Sequence, residues 1–487
     1  MIDYIEYMEI PTKLRRFSFS SKMGIASNYS RNTITSDGMN MDVVRKGNPS
    51  PWELETFVLF SIASGEWASD SFDKKNLRVF DRIIHGIRQH VPPALEVLIG
   101  KRDFEDYFLM VARATQFEIQ EDVATKLYRY NYYFSFKNES INMEEEFERK
   151  FECSYPDFLS VILGWWYWLS CTQSPVSQNT FERMIAAHPK VIETLSISRQ
   201  DYASELAVIT QNPDDYLFCL RPSYSYPFIR DEDYLYLPLP HLLIRSITSS
   251  LMFRLTDKND PLREKIGKEV LENYLFEILH DSNEFDELIP EKEYYDDRVL
   301  QKTTDVMARK GCITVFFDSK SFTPKSQIRV FSKEAIKNDI DRIAKGCKQM
   351  YRHVHDEFQN KYDFFSHKLS ISTEDRYGLV VLAEEPYFRL DLIFNTAAEM
   401  LGLEIGSDEY TWMRNHIGIV ETYEIERMCF TRSSIVTRVI ERSRSHSQND
   451  AWLGGPTDST EVVETKFNAF RDESKEMVLK AFQQFFD

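Results

Sequence analysis

A chain of 487 residues is too long for one compact core and implies two or three domains. Its 43% apolar and 28% charged residues fit a folded protein, while a formal charge of -18 excludes coating of nucleic acid by bulk electrostatics, which needs Lys and Arg to displace counterions. The six cysteines, at 153, 171, 219, 312, 347 and 429, form no C-x-x-C pair, which argues against a zinc knuckle or a disulfide framework and for a reducing cytoplasm.

The amino terminus has no basic stretch ahead of an apolar core, so no secretory signal is expected. Residues 1 to about 48, with Ser, Asn and Thr concentrated between Ser18 and Thr35, read as an early strand or two and a loop. Ser50-Pro51-Trp52-Glu53 opens a helix, with Ser as N-cap, Pro at the first helical position and Glu at the third. From there to about Thr125 the pattern is mostly helical, with Leu54, Phe57, Val58, Ser61 and Ile62 at helical spacing. Between Tyr128 and Phe136 aromatic residues recur at every second position, which predicts a half-buried strand.

Ser154-Tyr155-Pro156-Asp157 caps another helix, whose Trp165, Trp166 and Trp168 read as core. Its apolar run from Phe158 to Leu169 falls short of the roughly 20 residues that cross a bilayer, so no membrane partner is expected. Tyr216 to Leu220 and Tyr234 to Leu237 read as two strands around a turn region, and Pro238 and Pro240 introduce a helix through Leu255. The polar run from Thr256 to Pro261 marks the main domain boundary.

The stretch from Lys302 to Ser321 reads as a hairpin: a strand around Thr303 to Met307, a connection of Ala308 to Gly311, and a second strand from Cys312 to Asp318. Side chains alternate along a strand, so Asp318 and Lys320 share one face, and pairing parity puts Asp305 on the same face. A helix starting near Ser332 follows, with Ile336, Ile340, Ile343, Cys347 and Met350 at core spacing, then a strand from Tyr377 to Leu382. Residues 320 to 355 carry nine Lys or Arg against three acids, a local excess of base in an acidic chain. Leu390 to Leu403 reads as a helix, Ser443 to Thr460 as a loop, and a final amphipathic helix carries Val463, Phe467, Phe470, Met477, Leu479 and Phe482.

Asp305 and then Asp318-Ser319-Lys320, with twelve positions between the two aspartates, resemble the D…(D/E)-x-K signature of the PD-(D/E)xK nuclease superfamily. Gly267-Lys268-Glu269-Val270-Leu271-Glu272-Asn273-Tyr274 is similar to the first helix of many members, which carries an extra carboxylate. Lys345-Gly346-Cys347-Lys348-Gln349-Met350 resembles the motif on the helix after the D/E-x-K strand, and Tyr377 to Leu382 the core strand after that. The chain departs from the pattern with Asp318, where Glu is commoner, and with Leu271, where Phe is common, which leaves Glu272 and Glu269 both open as the third acid.

The resemblance implies an α+β or α/β fold with a restriction-endonuclease-like core, a central mixed sheet flanked by helices, over 256–390. A mainly helical recognition or regulatory domain would occupy 1–255 and a helical extension 391–487. It also implies a metal-dependent endonuclease of restriction or phage-defence type, or a catalytically silent nucleic-acid-binding or scaffold subunit. The partner would be nucleic acid, DNA ahead of RNA, with a protein partner or second copy allowed. Asp305, Asp318 and Glu272 would ligate Mg²⁺ or Mn²⁺, which suit oxygen ligands. Lys320 would lie against the attacking water and the phosphate, its charge held down by the adjacent carboxylates. Gln349 would contact the phosphate or orient Lys320, and Lys325, Lys345, Lys348 and Arg352 would hold the nucleic acid backbone.

Overall fold

The computed structural model describes residues 4–35, 38, 47–93, 122–171, 178–256, 261–296, 298–323, 326–355, 364–366, 375–384, 390–445 and 465–486. The chain is mixed α and β and divides into two compact units, Met1–Asp257 with Arg329–Phe331 and Arg471–Asp487, and Lys258–Ile328 with Ser332–Phe470. The split falls inside the polar run where the sequence changes character. Residues 391–470 belong to the second unit, so the helices after 390 form no unit of their own. No described helix is long and apolar enough to cross a membrane.

The first unit is built from helices that include α1 (Phe19–Arg31), α2 (Pro51–Ala63), α3 (Leu77–Gln89) and α4 (Val123–Ser135), and from a small sheet. Strand β2 (Phe228–Asp231) lies parallel to β1 (Ser196–Ser198) and antiparallel to β3 (Tyr234–Tyr236). The capping box of α2 forms as its sequence dictates, with Ser50 and Glu53 reciprocally bonded. Leu54, Phe57, Val58, Ser61 and Ile62 are all buried.

Three expectations fail here. The segment near Ser18 is the helix α1, capped by Ser18 accepting from Ser21 N, and Phe19, Met23, Ala26 and Ser30 form its buried stripe. The aromatic run 128–136 is helical: Asp122 caps α4, and Tyr130, Tyr133 and Phe134, three and four apart, are the buried rings. Alternation of aromatics concealed a helical face that tertiary packing selects. Tyr216–Leu220 is no strand, since Pro213–Leu217 forms a 3₁₀ turn capped by Asn212. Trp165 and Trp166 are buried as expected, and Trp168 is half-buried.

A buried polar network ties the first unit together. Glu55 on α2 pairs with Arg221 at 3.1 Å and His241 at 3.0 Å, and accepts from the Tyr224 hydroxyl at 3.0 Å. The other ring nitrogen of His241 meets Ser30 Oγ at 2.7 Å.

The second unit begins with a helical segment, Pro261–Lys265, a π-helical turn Ile266–Leu271 and α5 (Glu272–Ser282). Its five-stranded sheet has the order β10 (Ile417–Glu421), β9 (Arg376–Leu382), β8 (Ile313–Lys320), β7 (Val306–Lys310), β4 (Glu287–Pro290). Strands β4 (Glu287–Pro290), β7 (Val306–Lys310) and β8 (Ile313–Lys320) form an antiparallel meander. Between β4 and β7 the chain makes a separate hairpin, β5 (Glu293–Asp296) with β6 (Val299–Lys302). Helix α6 (Lys333–His355), with Ser332 Oγ accepting from Ala335 N, leads to β9 (Arg376–Leu382), parallel to β8. Helices α7 (Leu390–Leu401) and α8 (Asp408–His416) lead to β10 (Ile417–Glu421), parallel to β9.

The β7–β8 connection is the two residues Gly311 and Cys312, shorter than the four the sequence reading gives it. Gly311, with φ of 59°, provides the positive φ that a two-residue hairpin loop needs. The core stripe of α6 is Ile343, Cys347, Met350 and Val354, with Ile336 and Ile340 only half-buried. Glu284 caps helix α9 (Ile435–Ser445), accepting from Ile435 N at 2.9 Å and Val436 N at 3.0 Å. Ser443–Ser445 belong to that helix, and the rest of the expected loop, 446–460, lies outside the described residues. The last helix is Lys466–Phe486.

Candidate active site

The register Val306 to Phe317 ends the β7–β8 ladder, and one step further sets Asp305 opposite Asp318. The parity of the pairing therefore brings the two aspartates to one face even though the loop is two residues shorter. Ser319 N donates to Asp305 Oδ2 at 2.6 Å, and Lys320 Nζ donates to Asp318 Oδ2 at 2.6 Å. Asp318 is 8% exposed.

Parallel pairing places Asp318 beside Val380 and Lys320 beside Leu382 of β9. Helix α6 covers this face. A Cβ on Gly346 would meet Val380 Cγ1 at 3.1 Å and Lys320 Cε at 3.7 Å, so glycine there lets the helix backbone come down onto the lysine stem.

Glu272 arrives from the other side of the sequence. It follows the π-helical turn, a device common where a helix must re-aim side chains at a site. Within that turn Gly267 packs on Ser321, where a Cβ would stand 3.3 Å from Ser321 Cβ. Of the two glutamates left open by the sequence, Glu272 is the one whose charge acts on Asp305.

The electrostatics of the group follow from burial and crowding. Burial pushes Glu272 up to about 7, with Glu291 and Asp318 adding to the rise against Lys268 and Lys302. Burial also holds Asp305 well above the ordinary aspartate range, with Asp318 and Glu272 reinforcing it. Lys320 departs from the expected behaviour. Burial alone would lower it, but Asp318 and Asp305 outweigh that and raise it, so its charge is fixed rather than held down.

The structure brings together Asp305, Asp318, Lys320 and Glu272. Gln349 and Lys345 lie exposed on α6 and Lys348 half-exposed, and among the described residues none of the three has a hydrogen-bond or ion-pair partner. Arg352 continues that exposed stripe one turn on. Gln349 thus stands outside the hydrogen bonding of the site. Lys325 lies outside the described residues.

Glu291 and Lys302 belong to the same electrostatic group, with Lys302 Nζ donating to Glu291 Oε2 at 2.6 Å. No motif in the sequence marks either residue, although the polar Asp-Asp-Arg between Tyr-Tyr and Val-Leu is a turn signal that folds one back beside the other.

Whether the group suits a divalent cation can be judged from its oxygen atoms. As they stand, no three described Asp, Glu, His or Cys side chains converge on one point. Asp305 and Asp318 each commit Oδ2 to an internal donor, and among the described residues their Oδ1 atoms accept no hydrogen bond. Glu272, half-buried, accepts none at all. Carboxylate oxygens without donors are the type of ligand that a hard divalent cation such as Mg²⁺ or Mn²⁺ takes.

In comparisons of the chain with models of protein families, with curated proteins and with solved structures, nothing matches it.

Proposed function

We propose that the second unit is a phosphodiester hydrolase that uses a divalent cation and acts on nucleic acid. The observation that carries this reading is that Asp305 stands opposite Asp318 at the end of the β7–β8 ladder, with Lys320 Nζ on Asp318 and the charge of Glu272 acting on both Asp305 and Lys320. Perturbed carboxylates of this kind concentrate at catalytic sites. The order of elements, helix, antiparallel meander β4–β7–β8, helix α6 and parallel strand β9, supports a restriction-endonuclease-like core. A role in restriction or phage defence rests on the resemblance alone.

Asp305 and Asp318 would hold the cation through their uncommitted oxygens, with Glu272 completing the set. The cation would supply Lewis-acid polarisation of the phosphoryl oxygen and a bound water. Lys320, kept protonated by its neighbours, would neutralise charge as it develops on the phosphoryl group. Asp305 would keep its orientation through Ser319 N, and Asp318 through Lys320. The exposed Lys345 and Arg352 and the half-exposed Lys348 would hold the flanking phosphates, although the chain as a whole repels them.

The test is cleavage of single- and double-stranded DNA and RNA with Mg²⁺ or Mn²⁺ against EDTA, for wild type and Lys320→Ala. Metal-dependent cutting lost in the variant supports the assignment. Cutting that survives Lys320→Ala moves the site elsewhere, and wild type that binds without cutting favours a silent nucleic-acid-holding subunit.

A further inference from the structure

Two helical segments touch the exit of β8, each through a glycine. A Cβ on Gly346 of α6 would stand 3.7 Å from Lys320 Cε, and one on Gly267 of the π-helical turn would stand 3.3 Å from both Cβ and Oγ of Ser321, the next residue along. Each glycine has a lysine for a neighbour, Lys345 before Gly346 and Lys268 after Gly267. Both lysines are exposed, and among the described residues neither has an ion-pair partner.

Sequence spacing alone would give Lys268 a partner. Glu264 and Glu272 stand four positions to either side of it, the separation at which side chains meet on an α-helix. The turn Ile266–Leu271 is π-helical, however, with a wider repeat, and neither glutamate pairs with the ammonium. The charge of Lys268 still acts on Glu272, so the lysine stays within electrostatic reach of the carboxylates without being taken up by them. The Ser321 hydroxyl is also exposed, and among the described residues it makes no hydrogen bond.

We infer that Lys268 and Ser321 form a second phosphate subsite, which holds a phosphate of the cleaved strand at a fixed offset from the scissile bond, apart from those held by α6. The inference rests on the hydrolase reading and adds to it a requirement on the substrate: the strand must continue past the cut toward the π-helical turn.

Charge and donor chemistry select this occupant. Asp305, Asp318 and Glu272 repel an incoming strand, and Lys320 is committed to Asp318. A strand that approaches the exit of β8 therefore needs cations that the carboxylates have not taken, and Lys268 and Lys345 are such cations on two different helices. An ammonium offers three donors on a compact charge and a hydroxyl offers one more, which suits the several acceptor oxygens of a phosphate.

The experiment uses full-length protein and DNA and RNA oligonucleotides, with or without one neutral methylphosphonate linkage at mid-strand. Binding is read in EDTA by fluorescence anisotropy across salt, and the cleavage pattern of end-labelled strands in Mg²⁺ or Mn²⁺. Wild type is compared with Lys268→Gln, Lys268→Arg and Lys345→Gln, and with Lys265→Gln, which removes the same charge from the exposed residue three positions earlier. A thermal melt of each variant checks that it is folded.

Lys268→Gln should weaken binding about fivefold, the upper end for an exposed ion pair. It should lower the slope of log affinity against log salt by about 0.7 to 0.9, the share of one phosphate. Lys268→Arg should keep both, and Lys265→Gln should leave both unchanged. Wild type should spare bonds at fixed offsets from the methylphosphonate, and Lys268→Gln should lose the sparing at one offset, Lys345→Gln at another. If wild type cuts and both the slope and every spared offset survive Lys268→Gln, the subsite is overturned and the hydrolase stands. If wild type binds but cuts nothing, and Lys268→Gln flattens the slope while Lys265→Gln does not, the subsite stands and the hydrolase reading falls. Equal flattening by Lys265→Gln overturns the subsite in favour of diffuse charge. Slower cutting by Lys268→Gln at every offset alike, with the slope unchanged, overturns it in favour of action through Glu272. A protein that binds no strand overturns both readings.

Discussion

Asp305 and Asp318 stand opposite each other one position past Val306 and Phe317, where the β7–β8 ladder ends. Each spends one oxygen on a donor from the same short stretch, Ser319 N for Asp305 and Lys320 Nζ for Asp318. Asp318 alone pairs with the Lys320 ammonium while Asp305 and Glu272 act on it through their charge, and the excess negative charge is a standing cost to the folded state. Stability and function oppose each other at this point, as they commonly do where a site is built from like charges.

That opposition gives a pH signature. Glu272, normally near 4.5, is raised to about 7 in the fold, so folding favours its protonated form. The stability it contributes is complete below about pH 4.5 and is lost as pH rises through 7. Asp305 acts in the same direction. In EDTA the second unit should therefore melt at lower temperature at pH 8 than at pH 5, and Glu272→Gln should recover about 1 kcal/mol at pH 8, a figure discounted for solvent screening. Millimolar Mg²⁺ or Mn²⁺ should do the same for wild type. Thermal melts across pH read this directly, and parallel curves for wild type and Glu272→Gln would remove the crowding argument.

The stripe on α6 predicts a salt effect. Lys345, Lys348 and Arg352 project from consecutive turns. Replacing all three with Ala should flatten the slope of log affinity against log salt by about 2 to 3, since each phosphate contact adds about 0.9. The same triple change should leave the binding of divalent metal, followed by calorimetry, unaltered. An unchanged slope would mean that nucleic acid does not run along this helix.

The first unit carries an acid-sensitive lock of its own. Burial would raise Glu55, but Arg221 and hydrogen bonds from His241 and Tyr224 outweigh it and bring the carboxyl down to about 2. A depressed acid stabilises above its unfolded value near 4.5, and that contribution disappears as pH falls toward 2. The shift corresponds to about 3 kcal/mol. Glu55→Gln should lose stability of that order at pH 7 and little at pH 2, when followed by denaturant titration of the whole chain. Equal losses at both pH values would assign the effect to packing rather than to charge.

The parts of this arrangement legible in the sequence are those fixed by local rules. Asp305 was reachable because strand parity survives an error of two residues in loop length. The cap at Ser50, the helix before β9 and the strand Arg376–Leu382 follow from residues a few positions apart. The parts that were not legible depend on partners far along the chain. Glu291 reaches Glu272 only because β5–β6 folds back, and the run Tyr128 to Phe136 is a helix because Tyr130, Tyr133 and Phe134 find a core to face. Strand β10 was missed because its five residues make a strand only beside β9.

The packing of helix α6 on Gly378 of β9 gives the last prediction. A Cβ on Gly378 of β9 would lie 2.3 Å from Met350 Cγ, 2.5 Å from its Sδ and 2.9 Å from Val354 Cγ2. These atoms belong to the buried stripe of α6, so relief requires the helix to lift from the strand. Gly378→Ala should destabilise by about 1–3 kcal/mol, as overpacking does. Met350→Ala alone should cost about 2–5 kcal/mol by leaving a cavity. Combined, the two should cost less than the sum of the separate losses by at least about 1 kcal/mol, because the shortened side chain makes room for the new methyl. Lifting α6 also moves Gly346 away from the Lys320 stem. Gly378→Ala should therefore cut nucleic acid more slowly even at temperatures where it is fully folded, and Met350→Ala should restore part of the rate. Denaturant titrations and single-turnover cleavage on the four proteins check both statements, and strict additivity would show that the helix and strand adjust without disturbing the lysine.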